Sequence, residues 1–225
     1  MELIIDVSAS AASAGLARGG EVIWSGNLLT TRDHTTMLLP QILEGMTEVK
    51  AVPEDISLTT VATGPGPFNG LRVALAIAKG ISVARDIPVF GVSSLLAEVS
   101  RCHVGDDHLR PIMPAGKTTY ATALFRPAGA SWQQVEDAQV MALDDLAETL
   151  SKSPIAVCGD IEDSLKTLLV ERASTQFVSP QRTRIQSLAS LGHERAGTGD
   201  SDNIATLQPT YVRPPHITKP RERRH

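Results

Sequence analysis

The stretch "ATGPGPFNGLR" (residues 62–72) decides the fold, because a strand pattern and a helix pattern meet there. Two glycines and two prolines alternate at positions 64–67, and each proline keeps the residue before it out of helical geometry. The run "SLTTVATG" in front predicts a strand, and "LRVALAIAKGISVAR" behind predicts a helix. The stretch is therefore either a turn in which Asn69 caps the helix, or a loop whose free helix amides meet an anion.

Two common phosphate-binding patterns do not match this stretch. The Walker loop requires a lysine after its second glycine, and no lysine stands there. The dinucleotide pattern Gly-x-Gly-x-x-Gly, counted from Gly64, requires a glycine where Asn69 stands. A phosphate loop of either known type is therefore excluded.

The first hundred residues alternate between strand and helix patterns. The runs "LIIDV", "SAGLAR" and "EVIWSG" predict three strands, with a tight turn at Gly19 and Gly20 between the last two. The stretch "HTTMLLPQILEGMTEV" predicts a helix with Pro40 in or near its first turn. A further strand, the second helix and the strand "IPVFGV" complete one α/β unit.

The polar stretch "RCHVGDDHLR" (residues 101–110) predicts a linker, and the alternation resumes behind it. We predict strands at "RPIMPA", "TYATALF", "WQQVEDAQV" and "IAVCG" and helices at "LDDLAETLSK", "IEDSLKTLLVERA" and "RIQSLASLGHERA". The sequence therefore predicts an α/β protein with an N-terminal lobe at 1–102, a C-terminal lobe at 103–212 and a basic tail at 213–225.

Composition excludes several classes of protein. With 225 residues, a net charge of −4 and only 4% aromatic residues, the chain is not expected to offer a stacking surface for single-stranded nucleic acid. Cys102 and Cys158 lack Cys-x-x-Cys spacing, which argues against a structural zinc site or a disulfide framework. The apolar start is too short for a signal peptide, and no apolar run approaches the roughly 18 residues of a membrane span. We expect a cytoplasmic protein with no membrane contact.

Asp6, Ser8 and Ser10 are the candidates for contacting a nucleotide. An acid at the end of the first strand, followed by a turn of small residues, is how one wall of an actin-type nucleotide cleft begins. Aspartate at a strand end is also an ordinary turn former. Both interpretations stay open.

No metal site is predicted. A helical zinc site would require a second ligand one turn after His34, where Leu38 stands. The cluster "HVGDDH" (residues 103–108) holds two histidines and two aspartates, which either gather around a cation or are solvated turn residues. No Gly-x-Ser-x-Gly motif marks a nucleophile.

The basic tail also has two interpretations. Its thirteen residues hold five of the 21 lysines and arginines and one of the 25 acidic residues, which leaves the rest of the chain at a net charge of −8. It either contacts the phosphates of a bound nucleic acid or is a solvated terminus.

Several stretches together resemble the TsaB (YeaZ) family of tRNA threonylcarbamoyladenosine biosynthesis. They are "IIDVSASAASAGLA", "HTTMLLPQI", "ATGPGPFNGLRVALAIAKGI", "IPVFGVSSL" and "PTYVRPP". The family motif Gly-Pro-Gly-Ser-Phe-Thr-Gly-Leu-Arg matches residues 64–72 at seven of nine positions, with Pro67 and Asn69 in place of the two hydroxyl residues. The resemblance covers residues 1 to about 100 and, locally, the end of the chain.

The resemblance implies an actin-like ATPase (ASKHA, RNase H-like) fold of two lobes with a degenerate active site. It implies a non-catalytic subunit that dimerises with and activates TsaD, which modifies adenosine 37 of tRNAs reading ANN codons, while TsaE supplies ATPase activity. No tightly bound cofactor is expected, and ATP or ADP is expected only at an interface of the complex. A homodimer is expected when the partner is absent, and tRNA is contacted indirectly.

The partner interface implied by the resemblance lies on the two helices of the first lobe. Helical spacing independently allows either core packing or partner binding for their apolar faces. The expected interface residues are His34, Leu38, Leu39, Ile42, Leu43, Met46, Leu71, Arg72, Leu75 and Lys79.

One departure from the family lies in the second lobe. Its first hairpin has Ala115, Gly116 and Lys117 where the family commonly has an Asp-Ala-Arg-type motif. The alternative function is a stand-alone nucleotide-binding ATPase, or a peptidase-like enzyme, of the actin-like superfamily. Hydrolysis in this fold requires phosphate turns in both lobes, and the second lobe has no Asp-x-Gly turn, which favours the scaffold.

Overall fold

Nine strands and six α-helices follow one another along the described part of the chain. A computed structural model describes residues 1–9, 11–28, 34–103, 105, 107–129, 131–153, 155–159 and 161–212, without the side chains of residues 34 and 35. The strands are β1 (Glu2–Asp6), β2 (Ala12–Arg18), β3 (Glu21–Leu28), β4 (Leu58–Gly64), β5 (Val89–Ser93), β6 (Leu109–Pro114), β7 (Thr119–Ala128), β8 (Ser131–Ala142) and β9 (Ala156–Cys158). The helices are α1 (His34–Glu48), α2 (Phe68–Arg85), α3 (Ser94–Val99), α4 (Leu143–Lys152), α5 (Asp163–Ala173) and α6 (Arg184–Thr198), with a 3₁₀ turn at Pro53–Asp55.

The strands form two mixed sheets. The first sheet has the order β3-β2-β1-β4-β5, and the second has the order β8-β7-β6-β9. In both sheets the three consecutive strands pair antiparallel, while β1 and β6 pair parallel with β4 and β9. The two-residue turn between β2 and β3 is confirmed, with Gly19 and Gly20 at φ of 59° and 77°, where glycine meets no steric penalty.

Helices lie in three layers around these sheets. Helices α1 and α2 cover the outer face of the first sheet, and α4 and α5 cover the second. Helices α3 and α6 lie between the sheets, since α6 packs on the first sheet and α3 on the second. None of the helices in the described ranges combines the length and the apolarity that crossing a bilayer requires.

The structure refines one local prediction, contradicts another and adds a helix. Pro40 lies in the second turn of α1, next to the first turn, since the helix begins at His34. Buried Leu38, Ile42 and Met46 anchor the helix there despite the amide hydrogen that proline lacks. Asn69 does not cap α2, because the helix begins one residue earlier, at Phe68. Helix α3 was not anticipated.

The C-terminal part of the described chain returns to the first sheet. The amide of Asp202 donates to the carbonyl of Val89 at 3.0 Å, and that of Thr210 donates to the carbonyl of Thr63 at 2.7 Å. With α6, residues 184–212 therefore pack on the first sheet. The predicted second lobe, 103–212, does not coincide with the second sheet and its own helices.

Candidate functional site

A cleft opens between the two sheets, where the turn after β1, the loop before α2 and the turn after β6 meet. One cavity of about 320 Å³ is lined by the loop at residues 65–68, by Pro114 and Gly116, and by Thr210 and Tyr211. A second cavity of about 200 Å³ continues inward past Pro67 and Pro114 to Ser8, Glu98 and Arg184. The proline and glycine stretch that decides the fold thus forms one wall of the cleft.

Close backbone packing explains why glycine alternates with proline in this wall. A Cβ added at Gly66 would lie 2.6 Å from Ser8 Cα, and one added at Gly64 would lie 2.6 Å from the carbonyl oxygen of Thr210. Gly64 also has a φ of 116°, which L-residues rarely adopt. The loop is therefore fixed between the turn after β1 and the C-terminal segment.

An aromatic pair lines the outer cavity of the cleft. The rings of Phe68 and Tyr211 lie with their centroids 4.9 Å apart, and the guanidinium of Arg72 lies 5.3 Å from the Phe68 ring centroid. Tyr211 is thereby held against the start of α2. Such ring pairs and cation–π contacts each contribute about 0.5–1.5 kcal/mol.

At the inner end of the cleft, Asp6 is buried and fully engaged. Its Oδ1 accepts hydrogen bonds from the amide and the hydroxyl of Ser8, at 2.9 and 2.5 Å. Its Oδ2 accepts from Nε of Arg184 at 2.7 Å. Both carboxylate oxygens therefore have partners from the chain itself.

Arg184 connects Asp6 to a second buried acid, Glu98. Its Nη1 donates to Oε2 of Glu98 at 2.5 Å, and its Nη2 donates to the Ser8 hydroxyl at 2.5 Å. The other oxygen of Glu98 accepts from Nη1 of Arg101 at 2.7 Å. Two carboxylates and two guanidiniums thus form one buried network with a net charge of zero.

The ion pair shifts the pKa values of Asp6 and Arg184 toward their charged forms. Burial alone would raise the pKa of Asp6, but the charge of Arg184, with hydrogen bonds from Arg184 and Ser8, lowers it below its ordinary value. Burial alone would lower the pKa of Arg184, but Asp6 and Glu98 raise it. The ion pair is therefore fully charged at neutral pH.

The residues of this cleft do not fit a divalent cation carrying a nucleotide. A cation would need free oxygens, whereas both oxygens of Asp6 and the hydroxyl of Ser8 are occupied, and the Arg184 guanidinium would repel it. Across the described residues, no three His, Cys, Asp or Glu side chains come together as metal ligands.

The expected interface residues of α1 divide into two sets. Leu38, Ile42 and Met46 are buried in the core beneath the helix, so their side chains face the first sheet. Leu39 and Leu43 are 46% and 49% exposed, one turn apart along the same side of the helix. The exposed pair defines what we name the α1 apolar face.

Helix α2 divides in the same way. Leu71 and Leu75 are buried, whereas Arg72 is exposed and Lys79 is half-buried. Val83, one turn after Lys79, is 64% exposed. The surface available to a partner on the first lobe therefore consists of the α1 apolar face and the exposed side of α2.

Other predicted residues are not brought into the cleft or lie outside the described residues. Ser10, Asp106, the His34 side chain and the tail at 213–225 are outside that description. Gly116 lines the cleft, while Lys117 lines a separate cavity beside α5. Sequence reasoning missed Glu98 and Arg184. The one signal for Glu98 was an acid inside the apolar run "LLAEV".

Comparison with known proteins supports one family and one fold. A family model described as "TsaD: tRNA N6-adenosine threonylcarbamoyltransferase" matches residues 28–189. The tRNA threonylcarbamoyladenosine biosynthesis protein TsaB of Bacillus subtilis is 26% identical over 217 residues, which cover 94% of this chain and 93% of that protein.

Solved structures show the same fold. The YeaZ structure from Pseudomonas aeruginosa superposes with a TM-score of 0.74 at 19% identity, covering 93% of this chain and 98% of that one. A Bacteroides thetaiotaomicron protein with an actin-like ATPase fold has a TM-score of 0.50 at 10% identity, covering 84% of this chain and 95% of that one. The predicted actin-like ATPase fold is confirmed.

Proposed function

This chain belongs to the TsaD family and, within it, to the TsaB (YeaZ) proteins, and we propose that it is a non-catalytic partner subunit in tRNA threonylcarbamoyladenosine biosynthesis. In this proposal it dimerises with a TsaD-like paralogue and activates it. A TsaE-like ATPase and the tRNA contact the complex through the TsaD-like subunit. A homodimer forms when the paralogue is absent.

The observation that carries the proposal is the α1 apolar face. Leu39 and Leu43 each expose about half of their surface, on a helix that covers the outside of the first sheet. Covering the exposed part of each would contribute about 1 kcal/mol to an association. Such side chains at the centre of an interface are where binding energy is concentrated.

Charge supports pairing with a related chain. Helix α1 carries Glu44 and Glu48 and no lysine or arginine, whereas α2 carries Arg72, Lys79 and Arg85 and no acid. If a twofold arrangement of two similar chains places α1 of one against α2 of the other, opposite charges approach each other. A TsaD-like paralogue has the related fold that such a pairing requires.

The cleft supports the non-catalytic role. Asp6 is the candidate acid at the end of β1, and its oxygens are engaged by Ser8 and Arg184. The stand-alone ATPase remains the alternative. It predicts ATP hydrolysis by the pure chain that Asp6→Asn abolishes, which would contradict our proposal.

The experiment is reconstitution of threonylcarbamoyl transfer to tRNA with the TsaD-like paralogue from the same source. Leu39→Asp introduces a charge into the α1 apolar face, and we expect transfer to fall at least about 30-fold, as for a loss of 2 kcal/mol in binding. Val170→Asp is the matched control, because Val170 is 49% exposed on α5 of the second lobe. Equal losses from both variants, or undiminished transfer without this chain, would refute the proposal.

A further inference from the structure

The inner end of the cleft differs from the nucleotide site that an actin-like fold is expected to have. An actin-like fold places an acid at the end of its first strand, beside the interlobe cleft, and here that acid is Asp6, which bonds to Ser8 and Arg184 in the lining of the inner cavity. Instead of facing a solvent-filled site, its side chain is 3% exposed and paired with Arg184, which comes from a helix 178 residues further along the chain. The positive charge that pairs with Asp6 is therefore supplied by the chain itself, through Arg184.

The position of Arg184 accounts for this arrangement. It is the first residue of α6, where Thr183 caps the helix and where the chain returns to the first sheet after completing the second. Its side chain contacts β1 through Asp6, the following turn through Ser8, and α3 through Glu98. Arg184 thus joins α6 to the end of β1 and to α3 at one point.

Charge balance shows what Arg184 contributes. With Arg101, it offsets the two carboxylates of the network, and the side chains of Asp6, Glu98 and Arg184 are all less than 10% exposed. Without the Arg184 charge, Asp6 and Glu98 would keep only Arg101 as a counter-charge, beside a cavity of about 200 Å³. Carboxylate and hydroxyl oxygens beside water are what a hard divalent cation binds.

Cavity size agrees with the charges. Sites for cofactors and drug-sized ligands typically enclose about 300–1,000 Å³. The outer cavity, at about 320 Å³, reaches the lower end of that range, whereas the inner cavity beside Arg184, at about 200 Å³, is smaller. A nucleotide with its metal would have to displace Arg184 from both acids in order to reach Asp6.

We infer that Arg184 prevents a metal-bound nucleotide from binding in this actin-like cleft, because its guanidinium occupies the position between Asp6 and Glu98. The inference concerns this chain alone and goes beyond its role as a partner subunit. It holds whether or not a TsaD-like protein binds, so its failure can be told apart from failure of the proposed function.

Arg184→Gln tests the inference, with Mn²⁺ alone as the first probe and Mn²⁺ with ADP as the second. Arg182→Gln is the matched control, since Arg182 is an exposed arginine two residues earlier and the charge change is the same. We expect Arg184→Gln to bind one Mn²⁺ at least tenfold more tightly than the intact chain and the control, by electron paramagnetic resonance. In 10 mM Mn²⁺ its Tm should rise by about 3–5 °C if the Kd is about 1 mM, while the other two should not shift.

Two results would overturn the inference. One is that the intact chain already binds Mn²⁺ with ADP and loses that binding in Asp6→Asn. The other is that folded Arg184→Gln binds no more Mn²⁺ than the control.

A double variant covers the case in which Arg184→Gln does not fold. Asp6→Asn with Arg184→Gln removes one charge of each sign, and we expect it to fold and to bind no Mn²⁺. If the double variant does not fold, charge balance is not what Arg184 supplies. If it folds and binds Mn²⁺ tightly, Asp6 is not a ligand of the site. Either result contradicts the inference.

Discussion

The outer helices of the two lobes have the same place in the topology but different surfaces. In each lobe, three antiparallel strands are followed by a helix, a parallel strand and a second helix. In the second lobe, surface ion pairs join Glu148 to Lys152, Asp163 to Lys166 and Asp144 to Arg172. None of the salt bridges among the described residues involves α1 or α2, where the α1 apolar face is exposed instead. The outer helices of the second lobe therefore present charged pairs to water, whereas those of the first lobe present the apolar face to which our proposal assigns a protein partner.

The lobes differ inside the cleft as well. Strand β1 ends at Asp6, whereas the corresponding strand β6 ends at Pro114 and is followed by Ala115 and Gly116. Only the first lobe brings an acid to the cleft at this position, and Arg184 neutralises it. The same fold thus provides a structural ion pair here, and by our inference that pair keeps a metal-bound nucleotide out of the cleft.

The largest effect is expected when the buried pair of the first lobe is broken. Asp6→Asn leaves Arg184 without one of its two counter-charges in a buried site, and we expect the free energy of unfolding to fall by about 3 kcal/mol. The matched change in the second lobe is Glu148→Gln, which removes an exposed partner of Lys152 and should change stability little. Urea unfolding at pH 7 measures both. Similar losses of unfolding free energy in the two variants would show that the ion pairs of the two lobes do not differ in this way.

Lowering the pH should weaken the same ion pair without a mutation, because Asp6 becomes protonated. Because the folded-state pKa of Asp6 is lowered, its contribution is fully present above the unfolded pKa of about 3.9 and is lost as pH falls through the folded value. We therefore expect the stability difference between the intact chain and Asp6→Asn to shrink below about pH 4. Unfolding free energies measured between pH 7 and pH 3 give this difference. A difference in unfolding free energy that stays constant over this pH range would mean that Asp6 is not the titrating group.

A smaller effect concerns α6, the helix that joins the C-terminal half to the first sheet. A Cβ added at Gly192 would lie against the hydroxyl of Thr60, whereas one added at Gly197 meets nothing within 4 Å. We expect Gly192→Ala to destabilise by about 1–3 kcal/mol through overpacking. Gly197→Ala should stabilise by up to about 1 kcal/mol through helix propensity. Thermal unfolding compares them, and equal effects would show that α6 does not pack tightly on β4.

Local patterns predicted most of the elements but not the cleft. Helix α4 begins and ends where "LDDLAETLSK" predicts, and the Gly19–Gly20 turn follows from the two residues themselves. Helix α3 was missed because its six residues follow β5 without a break. The Asp6–Arg184 pair joins residues 178 positions apart, so no local period or spacing signals it. Burial of one side of α1 could be predicted, but which leucines remain exposed depends on how the helix sits on the sheet.

Hydrogen exchange of the intact chain, with and without the TsaD-like paralogue, tests the central claim most directly. Addition of the paralogue should slow exchange in residues 36–48 and 68–85 of the first lobe and leave residues 143–152 and 163–173 of the second lobe unchanged. Leu39→Asp should abolish the slowing, and Val170→Asp should preserve it. Slower exchange confined to α4 and α5, or no change anywhere at saturating paralogue, would contradict the account.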